Sequence, residues 1–344
     1  MRRLLVPGSA LLALIIVAAA FAAVQVSHFL NTPVTVGESG ADFAIPSGTS
    51  FRTISDQLAA RGIISNPRLF RGYTRWTGKA GSVQAGDYLI QQGTTPVELL
   101  QQFTSGDVRL YSFTIIEGWN RWDLLRALHD ETFIDATLTD EDWPAVLEDL
   151  RAAGNHPEGL FLPETYRFPR NTTDRVVLRE AYKLMQEVLA QEWAERGEGL
   201  PIASPYEALV LASIVEKETA RGDERPRIAG VFTRRLEKGM RLQTDPTVIY
   251  GIGDGFNGNL TRRDLQTDTP YNTYTRHGLP PTPIALPGRD AIHAALHPAA
   301  GDELYFVATG LGDGSHAFSA SKDEHDTAVA EYLRRLRKQR QQRD

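Results

Sequence analysis

One strongly apolar helix that ends in two carboxylates is the feature that most constrains this chain. Residues 209–219 read Leu-Val-Leu-Ala-Ser-Ile-Val-Glu-Lys-Glu-Thr. Because each helical residue advances about 100° around the axis, Leu211, Ile214 and Glu218 lie on one face, whereas Glu216 points well away from it. Glu218 therefore sits on the apolar stripe. The pattern also fits an ordinary amphipathic helix whose stripe has ended, with two solvated acids on its last turn.

The position of Glu218 predicts an unusual carboxyl group. A carboxyl held against leucine and isoleucine is poorly solvated, which disfavours its charged form and raises its pKa. A carboxylic acid that keeps its proton near neutral pH is the general acid that cleavage of a glycosidic bond requires. Residues 205–219 are therefore a candidate catalytic helix, and Glu218 is its candidate acid.

Composition and simple motifs exclude several other classes of protein. The 344 residues carry a net charge of -6, whereas nucleic-acid binders usually show a basic excess. Since the chain has no cysteine, disulfides, thiolate nucleophiles and zinc–thiolate sites are excluded. His293 and His297 have the i, i+4 spacing of a metal-binding pair, but no acid stands between them and Pro298 follows at once. We therefore expect no metal site at this pair.

The N-terminal segment predicts the compartment. Residues 4–26 contain no charged side chain, and a run of about 20 apolar residues is long enough to cross a bilayer as a helix. Arg2 and Arg3 precede it, so the short N-terminus should stay in the cytoplasm and the rest of the chain should be exported. The alternative is a cleaved signal peptide, because Ala18–Ala23 supplies small residues of the type found at cleavage sites.

The remaining chain divides into a linker, a small module and a larger domain, which together predict an α+β protein. The predicted parts are a cytoplasmic stub and transmembrane anchor (1–27), a linker (28–41), a small α/β module (42–116) and a mixed α+β catalytic domain (117–344). In the module, strands at 42–45 and 86–90 flank two helices. Such a unit is either a binding module or a structural spacer, and the pattern does not choose between them.

Three segments rich in aromatic residues, polar residues, Pro and Gly predict shaped loops, at 158–168, 240–251 and 271–284. Shaped loops on rigid scaffolds often carry function. Aromatic faces can cover the C–H surface of a sugar ring, while amides, acids and hydroxyls pair with its hydroxyl groups. The residues of these kinds are Tyr166, Gln243, Asp245, Tyr250, Tyr271, Asn272 and Tyr274. The alternative for each single tyrosine is a half-buried packing residue.

Five segments resemble signature segments of the endolytic murein transglycosylases, the YceG-like family. They are residues 160–168, 211–219, 242–251, 270–274 and 278–284. The resemblance covers nearly the whole chain. It implies that Glu218, the second glutamate of Glu-Lys-Glu-Thr, is the catalytic residue, and that no metal or cofactor is needed. It also makes Glu164 a candidate substrate-binding residue and residues 42–116 a LysM-like glycan-binding module.

The resemblance further implies an activity, partners and a location. The expected enzyme is a lyase that cleaves peptidoglycan strands between N-acetylmuramic acid and N-acetylglucosamine without water, leaves 1,6-anhydromuramoyl ends and so ends the growth of nascent strands. Its expected partners are glycan strands and peptidoglycan synthases, and its expected place is the bacterial inner membrane, with the catalytic domain in the periplasm. Two alternatives remain, a hydrolytic muramidase that adds a second carboxylate such as Asp245, and a non-catalytic peptidoglycan-binding scaffold.

Overall fold

The computed structural model describes residues 6–152 and 156–341. The helices are α1 Val6–Asn31, α2 Phe51–Ala60, α3 Pro67–Trp76, α4 Pro96–Ser105, α5 Arg121–Asp130, α6 Trp143–Asp149, α7 Asp174–Ala194, α8 Pro205–Glu218, α9 Arg225–Glu237, α10 Asp245–Ile252, α11 Arg262–Gln266, α12 Arg289–Leu296 and α13 Lys322–Gln341. The strands are β1 Ala41–Ile45, β2 Gly86–Ile90, β3 Leu110–Thr114, β4 Ile134–Asp135, β5 Thr165–Pro169, β6 Thr172–Thr173, β7 Tyr305–Ala308 and β8 His316–Ser319. The fold is mixed α+β, as predicted.

Helix α1 has the length and composition of a membrane span. Its segment Ala10–Asn31 has a mean hydropathy of 2.5, and the apolar side chains of its first part are exposed. Near its C-terminal end, Phe29 is buried and packs edge-on against Phe70 of α3, with ring centroids 6.4 Å apart. The predicted anchor is therefore one helix. Arg2 and Arg3, which carry the prediction of orientation, lie outside the described residues.

The chain folds into two compact units, of which the first comprises Met1–Tyr111 and Arg167–Asn171. In it, β1 and β2 form an antiparallel pair whose register runs from Ala41 opposite Ile90 to Ile45 opposite Gly86. Helices α2, α3 and α4 contribute to a shared core, together with Phe29 of α1 and residues of the connecting segments such as Val34 and Ile63. Asn66 caps α3 by accepting bonds from two backbone N–H groups, as the Asn-Pro sequence predicts.

The second unit comprises Ser112–Tyr166 and Thr172–Asp344, and α8 lies at its centre. Every residue from Ala208 to Val215 is buried, because α8 packs against α7, α9, α10 and α12. This covers the whole circumference of the helix middle, so α8 is buried on all sides rather than amphipathic. Its two ends reach the surface, at Pro205 and at Lys217.

A hairpin and the last long helix cover another part of the second unit. Strands β7 and β8 are antiparallel, with Phe306 opposite Phe318. Phe306 packs edge-on against Phe232 of α9, with centroids 5.8 Å apart, and α13 packs on both strands. These elements return residues from the end of the chain to the neighbourhood of α8 and α9.

Two of the three predicted loops contain regular structure, so those predictions were partly wrong. Residues 245–252 form helix α10, which begins where Asp245 precedes Pro246, a residue favoured in the first helical turn. Residues 165–169 form strand β5, in which the buried Tyr166 and Phe168 alternate with exposed neighbours. In both places the local signal for regular structure lies within a segment whose Pro and polar residues favour a loop.

Candidate active site

Glu218 is the last residue of α8 and lines a cavity of about 460 Å³. The helix begins at Ser204, whose side chain accepts a hydrogen bond from the backbone N–H of Glu207. It ends because Thr219 adopts an extended conformation, with φ -148° and ψ 137°. Glu218 therefore stands where the buried helix opens onto the cavity, and its side chain is partly exposed.

The environment of Glu218 favours the protonated form of its carboxyl group. Burial among apolar neighbours raises its pKa to about 7, and the negative charge of Asp245 adds to that rise. The hydroxyl of Thr244 donates a hydrogen bond to Glu218 Oε1, which acts in the opposite direction and lowers the pKa. Burial dominates. A carboxyl with this pKa can both donate and accept a proton near neutral pH.

Thr244 is positioned by a strained turn. The preceding residue, Gln243, has φ 54°, a left-handed conformation that residues other than glycine seldom adopt. The turn is held by Arg235, whose guanidinium donates to the carbonyl of Leu242 at 2.8 Å and to Gln243 Oε1 at 3.3 Å. It is also held by Thr273, whose hydroxyl accepts the backbone N–H of Thr244 at 3.1 Å. These contacts orient Thr244 so that its hydroxyl donates to the carboxyl of Glu218.

Asp245 is the second carboxylate of the cavity. It is exposed, and its Oδ1 accepts a hydrogen bond of 2.5 Å from the hydroxyl of Tyr274. Tyr274 lines the same cavity, and burial followed by the bond to Asp245 raises its pKa. The structure thus brings together Glu218, Gln243, Asp245 and Tyr274 of the residues singled out in the sequence.

Glu216, the other acid at the end of α8, has a different environment. Its side chain is 5% exposed and pairs with Arg225 at 3.0 Å, and its Oε2 accepts the backbone N–H of Gly288 at 3.0 Å. Burial raises its pKa, whereas those two contacts lower it. Neither acid is simply solvated, so the alternative of a helix that ends in two solvated acids is wrong. Glu216 is held by contacts within the protein, whereas Glu218 lines a cavity.

Tyr250 and Tyr271 lie in a separate cluster outside the lining of the cavity. Their rings meet edge-on with centroids 5.0 Å apart, and Trp122 lies 5.8 Å from Tyr250. The hydroxyl of Tyr250 donates to Glu158 Oε2 at 3.0 Å, and the backbone N–H of Arg121 donates to both oxygens of that carboxylate. Burial raises the pKa of Glu158 to about 7. Glu158 is thus, after Glu218, a second carboxyl whose pKa is raised to about 7, and the sequence did not reveal it.

None of the three remaining candidates lines the cavity at Glu218. Two of them are buried, and the third is exposed elsewhere. Tyr166 is buried, and its hydroxyl donates to the carbonyl of Leu162 at 2.7 Å. Asn272 is 1% exposed, and its amide donates to three backbone carbonyls, those of residues 264, 265 and 267. Glu164 is exposed and accepts the N–H of Thr165, but it does not line the cavity. Tyr166 and Asn272 thus stabilise loops and strands.

Several residues of the cavity were missed in the sequence. Thr244 stands beside two chosen candidates in the segment 242–251, so a signal existed there. Arg235, Lys322 and His325 also line the cavity, but they lie on α9 and α13, which read as ordinary helices with solvated charges. No motif links these helices to Glu218; α9 reaches the cavity because it packs against α8, and α13 because it packs on β7 and β8.

His293 and His297, the pair at which no metal site is expected, lie beside a glutamate of another helix. Glu192 of α7 lies with His293 and His297, and potential ligand atoms of the three residues are within 4.8 Å of one another. Their contacts are hydrogen bonds within the protein. His293 Nδ1 is 2.8 Å from Glu192 Oε2, and His297 Nε2 is 2.8 Å from the carbonyl oxygen of Glu195. These bonds account for the orientation of both rings.

The fold and the site describe an α+β protein with an apolar N-terminal helix, in which a glutamate whose pKa is raised to about 7 lines a cavity. Comparison with known sequences identifies the family to which such a protein belongs. The profile of the YceG-like family matches residues 43–331, which is most of the chain. The chain belongs to the YceG-like family.

Three relatives illustrate the likeness. An endolytic murein transglycosylase of Bacillus subtilis (strain 168) is 32% identical over 308 residues, with 84% of each chain covered. An endolytic murein transglycosylase of Streptococcus pneumoniae (strain D39) is 29% identical over 335 residues, which cover 87% of this chain and 58% of the relative. The crystal structure of a yceG-like protein of Listeria monocytogenes has a TM-score of 0.51 and 27% identity, with 85% of this chain and 99% of that chain covered.

Proposed function

We propose that this chain is a membrane-anchored endolytic lytic transglycosylase that cleaves peptidoglycan strands between N-acetylmuramic acid and N-acetylglucosamine. The observation that carries the proposal is Glu218, a partly exposed carboxyl whose pKa is raised to about 7 at the wall of a cavity. The family and the names of the Bacillus and Streptococcus relatives support the substrate class.

One carboxyl can perform both proton transfers of a non-hydrolytic cleavage. Glu218 first gives its proton to the glycosidic oxygen as the bond from that oxygen to the muramoyl C1 breaks. The carboxylate that results then takes the proton of the C6 hydroxyl while O6 bonds to C1. The product is a 1,6-anhydromuramoyl end, Glu218 has its proton again, and no water is consumed. A pKa near neutrality suits both steps, because the group must act as acid and then as base.

A hydrolytic muramidase is the second candidate, and Asp245 is the observation that favours it. Glycosidases that use water commonly pair two carboxyl groups, and Asp245 lines the same cavity as Glu218. Asp245 is occupied by the hydroxyl of Tyr274, which supports a role in positioning instead. Mass spectrometry of the products separates the candidates, since a lyase leaves anhydro ends and a hydrolase leaves reducing ends.

The central test compares two neighbouring conservative variants on purified glycan strands. We expect Glu218→Gln to fold and to lose at least about 10²-fold in cleavage, the low end of general acid–base contributions. Glu216→Gln, two residues away, should retain most of its activity per folded molecule, because Glu216 faces Arg225 rather than the cavity. Loss of activity in Glu216→Gln alone would reverse the assignment. A wild-type chain that binds strands but never cuts them would support the scaffold alternative.

We also propose that α1 stays in the membrane, with the catalytic unit in the periplasm beside peptidoglycan synthases. The length and hydropathy of Ala10–Asn31 support a span, and Arg2 and Arg3 support the orientation. N-terminal sequencing of the mature protein tests this directly. A mature N-terminus near Val24 would mean a cleaved signal peptide, and the proposed place beside the synthases would lose its physical basis.

We propose that residues 42–116 form a LysM-like module that binds glycan, which a polar groove of about 440 Å³ in the first unit supports. Its lining includes the amide side chains of Gln91, Gln101 and Gln102, which suit sugar hydroxyls. Binding there would add a second contact on the same polymer and raise the effective concentration at Glu218. We expect Gln101→Ala to weaken binding to long strands without changing cleavage of short ones. Equal activity on intact sacculi would leave the module as a spacer.

A further inference from the structure

The cavity at Glu218 has a second wall that the proposed reaction does not use. This wall is formed by β7 and by one face of α13, whose Lys322, His325 and Val329 all line the cavity. Residues three and seven positions apart share one face of a helix, so α13 presents this face to the cavity along two turns. The wall carries side chains able to bind an anion.

Arg235, which lines the cavity, is a buried cation that pairs with no acid of the described residues. It is 7% exposed. Its guanidinium donates to the carbonyls of Leu304 at 2.6 Å, Leu242 at 2.8 Å and Arg241 at 3.1 Å, and to the amide oxygen of Gln243. Among the residues that the structure describes, no carboxylate forms an ion pair with it. Its charge is therefore not neutralised by a local acid.

Lys322 and His325 extend this charge along the rim. Lys322 is exposed and pairs with Asp326, one turn further along α13, which is also exposed. Such a surface ion pair contributes little, so its ammonium group remains available to a ligand. The Nδ1 atom of His325 is buried and without a hydrogen-bond partner, and its ring stacks on Tyr305 with centroids 5.2 Å apart. The cavity lining thus holds two cations, Arg235 and Lys322, beside the imidazole ring of His325.

The charges of the cavity lining favour an anion rather than a neutral sugar. Arg235 and Lys322 contribute two positive charges, whereas Asp245 contributes one negative charge and Glu218 carries a proton up to about pH 7. Glycan strands are neutral except where muramic acid carries its lactyl group. That group sits on C3, two ring bonds from the reacting C1, so it must lie beside any cavity that holds the scissile bond.

We propose that Arg235, Lys322 and His325 form a subsite for a carboxylate carried by the muramoyl residue at the scissile bond. This inference rests on the proposed function. Two sources share the chemistry. On a strand that bears peptide stems, the lactyl group is an amide and the carboxylates belong to the stem. On a strand without stems, the lactyl carboxylate itself is free.

The test measures KM and kcat of the full chain in detergent on three substrates: strands with stems, strands from which an amidase has removed the stems, and stem-bearing strands whose carboxyls are blocked as methylamides. We expect Lys322→Gln to raise KM about threefold, and Lys322→Glu about tenfold, on carboxylate-bearing strands. Neither should change KM on blocked strands, and Lys322→Arg should behave as wild type. Lys338→Gln, in the last turn of the same helix, is the matched control. Arg235 is left unchanged because it holds the turn before Thr244.

The substrate that responds identifies the source. An effect confined to stem-bearing strands assigns the subsite to the stem, and one confined to stem-free strands assigns it to the lactyl carboxylate. The proposal is overturned if KM stays constant on all three substrates, or if it changes equally on the blocked strands. Equilibrium binding of the Glu218→Gln chain, with and without Lys322→Gln, gives the same comparison without catalysis. A wild type that forms no anhydro ends would refute the proposed function, while the binding data would still decide the subsite.

Discussion

Replacing Glu218 by glutamine should make the folded protein more stable at alkaline pH while it abolishes cleavage. Burial raises the pKa of this carboxyl from its ordinary 4.5 to about 7. At about 1.4 kcal/mol per pH unit, this rise corresponds to a penalty of up to about 3 kcal/mol on the folded state once the group is ionised. Glutamine has nearly the same shape and cannot ionise, so it removes the penalty.

The pH range follows from the two pKa values. Below about pH 4.5 the carboxyl keeps its proton in both the folded and the unfolded chain, and nothing is lost. Between about pH 4.5 and 7 only the unfolded chain ionises, so the stability of the wild type falls as the pH rises. Above about pH 7 the whole penalty is present. The advantage of Glu218→Gln should therefore grow across this range and then stay level.

Urea denaturation of the full chain in detergent, at pH 4.5 and pH 8.5, measures this difference. Four of the five tryptophans, at positions 119, 122, 143 and 193, belong to the second unit, so their fluorescence follows the unit that holds Glu218. The hydrogen bond from Thr244 favours the ionised carboxylate, and the pKa of about 7 already includes that effect. Glu141→Gln, which removes an exposed carboxyl, shows what the loss of one charge does without burial. The same stability gain at both pH values would refute a buried, proton-bearing Glu218.

Neighbouring contacts give three more expectations. Thr244→Val removes a hydroxyl that lowers the pKa of Glu218, so the alkaline limb of kcat/KM should move to higher pH and the maximal rate should fall about fivefold; a pH–rate profile measures both. Glu216→Gln weakens a buried pair with Arg225 and should lower the free energy of unfolding by about 1–3 kcal/mol, as denaturation would show, with unchanged kcat/KM per folded molecule. Glu158→Gln places an amide NH2 group against the donors Arg121 N–H and Tyr250 O–H, so it should lower the melting temperature below pH 7, where the carboxyl it replaces is not ionised, and leave the alkaline limb in place.

The sequence predicted those elements whose signals are local. Helices α2 and α3 begin at Ser50 and Asn66, residues whose short polar side chains cap the first turn. A different local signal, Pro246 in the first helical turn, marks the start of α10, whereas the polar residues around it favour a loop. Strand β5 was missed for a similar reason. The information for these elements lies within a few residues of the chain, so correct prediction depended on how competing local signals were weighed.

Only the acid of the candidate site could be predicted from the sequence. A helical wheel gives the direction of a side chain, but it does not give the residues from other elements that the side chain will contact. The wheel placed Glu218 on the apolar stripe of α8, and this side chain does lie at a poorly solvated position. It placed Glu216 elsewhere, and nothing in the pattern could foretell that Arg225 would bury it in an ion pair. Lys322 is about a hundred positions away in sequence, and it reaches the cavity only because β7 and β8 return α13 to this side of the unit. Local periodicity therefore identifies a candidate acid, whereas the charges that would select its substrate come from tertiary packing.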